Sequence, residues 1–96
     1  MNPAKVRRDR LQTLTDLPNV GPKIAASLVS LGIEAPEDLR GWDGMALYQA
    51  LCQWRGERLD PCVLDVCLSI TRFMAGEDPQ AWWFYTAERK RCFPEV

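Results

Sequence analysis

Between Leu17 and Leu28 the chain sets out the parts of an anion site. Pro18-Asn19-Val20-Gly21 reads as a tight turn that opens onto Pro22. Proline suits the first position of a helix, where its missing N–H would have had no partner anyway. The first turn of any helix carries unpaired N–H groups and a partial positive charge, a combination that receives phosphate. Gly21 has no Cβ to hold a ligand off, and Lys23 adds a mobile cation beside it. The expected phosphate contacts are Asn19, Val20, Gly21 and Lys23. Lys5, Arg7 and Arg8 are the expected auxiliary charges.

These residues resemble the helix-hairpin-helix motif of DNA repair and recombination proteins. That motif runs apolar, two residues, apolar, any, Gly, apolar, Gly, three residues, Ala. Leu14, Leu17, Val20, Gly21 and Ala25 match it, and Asn19 stands where the first glycine would be. Asparagine is the best substitute at positive φ, so the turn is expected to survive. The resemblance implies a grip on the DNA backbone. Phosphate contacts carry no base information, so recognition would be independent of sequence. Hairpins of this kind also hold a monovalent cation on backbone carbonyls, the one cofactor the resemblance implies.

Other chemistries find little support. The chain has no histidine, and its four cysteines, Cys52, Cys62, Cys67 and Cys92, form no Cys-x-x-Cys pair. Zinc needs about four close N or S ligands, so no metal site is expected. Buried free thiols are the simpler reading. Asp60 beside Cys62 is better explained as a helix cap than as a catalytic pair. No convergent acid pair is present, and the chain is read as a non-enzyme.

The elements that must position the hairpin follow from periodicity and caps. Pro3, Val6, Leu11 and Leu14 predict a first helix over about 4–15. A second helix, about 22–31, buries Ile24, Leu28 and Leu31 and stops at Gly32, with Ile33 turning back into the core. Pro36 starts a short helix anchored by Leu39. Gly41 to Ala46 faintly echoes a second hairpin, but Asp43 reads better as the N-cap of a helix over about 43–55. In that helix Leu47, Leu51 and Trp54 are expected to face inward. Asp60-Pro61 is a sharp start signal for a helix over about 61–75. That helix is apolar nearly all round and belongs at a core centre or an interface. Asp78-Pro79 repeats the signal for a helix over about 79–91. Trp82, Trp83, Phe84 and Tyr85 fall inside it and cannot share one face at about 100° per residue. Trp82, Trp83 and Tyr85 are the expected partner surface, for a homodimer or another protein.

The reading is thus an all-α bundle of five to six helices, one domain over 1–96. It is built on an N-terminal helix-hairpin-helix of the SAM-like kind at about 11–31, with a helical extension at about 43–91. Apolar residues make up 47% of the chain, ample for a core. No apolar run approaches the ~18 residues of a membrane span, and no signal peptide is visible, which predicts a cytoplasmic protein. Net charge is −1, unlike a strong nucleic-acid binder, but the distribution is uneven. Residues 1–10 carry +3 and 89–96 carry +2, against −6 for the middle.

The second half adds a resemblance. Asp60-Pro61-Cys62 with its long apolar helix, Trp82-Trp83, Thr86 and Arg89-Lys90 are similar to the bacterial pathogenicity-locus family of small helix-hairpin-helix proteins. Members carry a mitomycin-resistance label. The resemblance runs from about Leu11 to Lys90 and implies a bacterial cytosolic protein tied to DNA damage or uptake. Two functions follow. One is a sequence-independent DNA-binding module. The alternative is a protein-interaction module that kept the fold and lost DNA, favoured by Asn19 and the acidic middle.

Overall fold

Asp60 and Pro61 open the helix on which the rest of the chain packs. The Cys62 N–H donates to Asp60 Oδ1 at 2.8 Å, and Pro61 takes the first helical position. This backbone bond holds the Asp60 carboxyl below its usual range. In the computed structural model, which describes residues 5–96, the helices are α1 (Pro22–Ser30), α2 (Gly44–Arg55), α3 (Pro61–Met74) and α4 (Thr86–Cys92). Among the described residues there is no strand. Short 3-10 turns cover Arg8–Arg10, Leu14–Asp16, Pro36–Leu39 and Trp82–Tyr85. The protein is all-helical, as the sequence predicts, with fewer full helices.

α3 is the most buried element. Ten of its fourteen residues are buried, including Leu64, Ile70 and Phe73. It packs against α2, α4 and the turns at Pro36–Leu39 and Trp82–Tyr85. Its contact with α2 is close because of Gly44. A Cβ there would lie 2.7 Å from Leu68 Cδ2 and 3.0 Å from Leu68 Cα. Asp43 caps α2 by accepting from the Ala46 N–H at 3.1 Å. α1 ends in a Schellman motif, with the Gly32 N–H on the Val29 carbonyl and the Ile33 N–H on the Leu28 carbonyl. Ile33 is then buried, as expected.

Three expectations need correction. The first helix does not form over the described part of 4–15; its opening at Pro3 and Ala4 lies outside the described residues. Asp16 Oδ2 accepts the N–H groups of Gln12 at 2.9 Å and Thr13 at 2.8 Å. In a helix those donors would reach back to residues 8 and 9, so the Asp16 side chain takes the bonds the helix needs. On the hairpin side α1 therefore meets a single 3-10 turn, Leu14–Asp16, in place of the expected helix, and it packs against α2 as well. The helix over 79–91 likewise begins late, at Thr86, after a 3-10 turn. Trp54 has the right angular position on α2 but lies in its last full turn, and it is 60% exposed beside Leu31, Ala50 and Gln53. Periodicity fixes the angle of a side chain, not whether core lies beneath that end of the helix.

Candidate nucleic-acid interface

Asn19 adopts φ 64°, the one non-glycine residue at positive φ among those described, so the turn does form on asparagine. Its side chain is occupied. Nδ2 donates to Ser69 Oγ at 3.0 Å and to the Gln80 carbonyl at 2.8 Å, and Oδ1 accepts from the Trp82 N–H at 3.2 Å. These bonds explain the late start of α4. A helix begun at Pro79 would need the Gln80 carbonyl for the Phe84 N–H, which turns instead to Ala81 at 3.0 Å.

The consequence is a composite site. Asn19, Val20 and Gly21 form one wall of a cleft of about 250 Å³, and Trp82 and Trp83 form the other. The Asn19 turn and the aromatic run, read as separate sites in the sequence, meet here. Val20 is buried and offers backbone only. Gly21 is exposed, at φ −94° and ψ −178°, and a Cβ built on it would meet nothing within 4 Å. Its conformation is open to any residue, so the glycine leaves access and does not relieve strain. No side chain caps α1 and no acidic residue lies in its first turn. The first helical bond is the Ala25 N–H to the Gly21 carbonyl at 3.0 Å, so the N–H groups of Lys23 and Ile24 lie ahead of the ladder. Lys23 is exposed at the second position of α1.

The remaining candidates divide. Trp82 is half-buried and meets Trp83 edge to face, with centroids 5.5 Å apart at 82°. Trp83 and Phe84 are exposed at 63% and 62%. Tyr85, expected on the partner surface, is instead 2% exposed, beneath the Arg72 guanidinium. A tight 3-10 turn sends its last residue inward, and Phe84 takes the outer position. Arg8 is committed elsewhere. Its guanidinium donates to the Phe73 carbonyl at 2.6 Å and the Glu77 carbonyl at 2.7 Å, and lies 4.1 Å from the Phe73 ring centroid. It caps the C-terminus of α3, where a cation is favoured by the helix dipole. Arg7 is exposed and paired with Asp9 at 3.3 Å.

Sequence reasoning missed the charged seam between α3 and α4. Asp65, fully buried, accepts from Arg89 Nε at 2.7 Å and from the Thr86 hydroxyl at 2.7 Å. Arg72 pairs with Glu88 seven residues along α3, with Nη1 to Oε1 at 2.7 Å. The Arg72 bonds hold the Glu88 carboxyl below its usual range. Arg89, counted with the basic end, is therefore internal. A heptad separation of acid and base on α3 facing adjacent residues of α4 is the signal that could have found this seam.

Two of the thiols are held in the protonated form. Burial, then the Asp60 contact, pushes the Cys62 thiol up, which keeps it protonated and weakly nucleophilic. Burial raises the Cys67 thiol as well. Of the four, Cys67 alone is buried; Cys52 and Cys62 are half-buried and Cys92 is exposed, against the expectation of buried thiols.

Comparison with known proteins places the chain. The Pathogenicity locus family matches residues 7–91. A mitomycin resistance protein, McrB of Streptomyces lavendulae, is 41% identical over 78 residues, covering 81% of this chain and 74% of that protein. No solved structure matches. The matched span holds the Asn19 turn, the aromatic rim and the α3–α4 seam, and the chain belongs to the Pathogenicity locus family.

Proposed function

We propose that this protein is a sequence-independent DNA-binding module that takes a backbone phosphate at a helix-hairpin-helix turn. The observation that carries the reading is the open end of α1, where Gly21 leaves the backbone exposed, no side chain provides a cap, and Lys23 stands beside it. The hairpin is an abbreviated one, with the Leu14–Asp16 turn in place of the first helix. The resistance named for the Streptomyces relative fits a protein acting on damaged DNA in the cytoplasm. No helix among the described residues is long and apolar enough to cross a membrane. A monovalent cation on the turn's carbonyls is part of this reading. So is a small role for Arg7, once released from Asp9.

Titration of labelled duplex DNA at several salt concentrations tests it. Non-specific affinity in the range of about 10⁻⁴ to 10⁻⁶ M is expected at physiological salt. Lys23→Ala should weaken every sequence alike and lower the salt slope by roughly one. An absence of binding to any DNA at low salt would sink the reading.

A second reading, a protein-interaction module, is favoured by one observation. Val29 and Trp54 are exposed at 51% and 60%, and Trp54 shares a shallow cleft with Leu31. A homodimer or protein partner using this face would be lost in Trp54→Ala, with DNA binding untouched. Sedimentation at high concentration reads the dimer directly.

A further inference from the structure

The cleft beside the hairpin turn has an aromatic wall that a phosphate does not need. It is lined by Asn19, Val20, Gly21, Trp82 and Trp83, with no ionised side chain among them. Trp83 is more exposed than any other large apolar residue described. It meets Trp82 edge to face. Whichever ring supplies the edge, at least one face of Trp83 is left uncovered by its neighbour.

The rim is also held in place. Trp82 packs against the core, and its N–H is bound by Asn19, whose own backbone makes the turn. The same side chain grips the Gln80 carbonyl and Ser69 on α3. Turn and rim are thus joined through the Asn19 side chain, and preorganisation of this kind favours binding of a ligand that touches both.

We propose that this cleft receives an unstacked nucleobase against Trp83 while Lys23 and the open end of α1 hold an adjacent phosphate. The inference rests on the DNA reading above and names its substrate: single-stranded DNA, or duplex with an unpaired base. An intact duplex keeps its bases stacked and presents sugar and phosphate outward, leaving an aromatic face without its partner. Single strands offer a π-face at every nucleotide, and aromatic platforms bind them with little regard to sequence. Charge is complementary as well. The cation and the positive helix end lie on the turn side, and the neutral, apolar wall lies where a base would enter.

The test compares a labelled single strand, the matching duplex, and the duplex with one unpaired base, read by fluorescence anisotropy. Wild-type protein should favour the single strand and the unpaired-base duplex. Trp83→Ala should weaken those two by roughly five- to 150-fold, the range seen for single base–aromatic stacks, and leave the weak duplex binding in place. Trp83→Phe should restore most of the loss, and Trp54→Ala should change nothing. Trp83 is exposed, so both variants should fold, and circular dichroism checks it. If Trp83→Ala weakens all three DNAs equally, or none, the base pocket is overturned. The phosphate reading then stands provided Lys23→Ala still weakens binding. If no DNA binds at all, both fall, and an apolar protein side chain becomes the cleft's occupant.

Discussion

Asp65 and Arg89 form a closed ion pair at 2.7 Å, inside the joint between α3 and α4. The Asp65 side chain has no exposure and that of Arg89 only 10%. Thr86 takes the second carboxylate oxygen. Both oxygens are therefore satisfied, which burial of a charge requires.

Asp65→Ala strands a buried guanidinium and should destabilise the fold by about 3–5 kcal/mol. Urea unfolding should show a lower midpoint with an unchanged slope. The double variant Asp65→Leu with Arg89→Met should recover most of the loss, since apolar replacement of both partners is often neutral. A loss below about 1 kcal/mol for Asp65→Ala would show that the pair opens to water.

Asn19 carries two duties that substitutions can separate. Asn19→Gly keeps positive φ and loses three hydrogen bonds, which should cost about 1–3 kcal/mol. Asn19→Ala loses the bonds and also strains the turn, adding about 1–2 kcal/mol. The fluorescence of the Trp82–Trp83 pair should shift in both variants. An unshifted spectrum in Asn19→Gly would show that the rim holds its place without the clamp.

Gly21→Ala should leave stability within about 0.5 kcal/mol, because its backbone is extended and the space is open. Gly21→Asp should fold equally well and lose DNA affinity, since a carboxylate would stand where phosphate docks. Thermal melts beside DNA titrations separate the two effects. A large fall in melting temperature for Gly21→Ala would contradict the geometry.

Acid should loosen the molecule in a defined window. Glu88, Asp16 and Asp60 all have carboxyls held below their ordinary range. The causes are the Arg72 hydrogen bonds for Glu88 and backbone N–H donors for Asp16 and Asp60. A lowered folded-state pKa contributes stability that is present above the unfolded value, near pH 4, and is lost as pH falls through the folded values. Stability should be flat between about pH 5 and about 8 and decline below about 4. Glu88→Gln should flatten part of that decline in acid unfolding curves. An unchanged slope would remove Glu88 from the account.

What the sequence made legible was local. Asp43, Asp60-Pro61 and Gly32 each act on backbone within a turn of themselves, so their residue types suffice to place helix ends. The errors came from side chains that compete for backbone groups. Asp16 takes the donors of Gln12 and Thr13, and Asn19 takes a carbonyl 61 residues away. Both residues are ordinary turn formers on the page, and nothing in their spacing says which groups they reach. The composite cleft was hidden for the same reason. Its halves could each be read from the sequence, at residues 19–23 and 82–85, but their meeting depends on the Asn19 clamp. Arg8 and Arg89 looked like free surface charge because their acceptors lie 65 and 24 residues off.

Those separations also order events in time. The α2–α3 pair is joined by a short connection and is built from neighbours in the chain, so its loop closes at small entropic cost. The Arg8 cap on α3 and the Asn19 clamp on Gln80 span 65 and 61 residues and join the early part of the chain to the segment after α3. Contacts of that range reward folding only after the rest has condensed. The cleft should therefore be the last part of the molecule to assemble and the first to open. Amides around Asn19 and Trp82 should exchange hydrogen ahead of those in α3. A ligand seated in the cleft would slow that exchange, acting as the latch on a ring the polypeptide closes on itself.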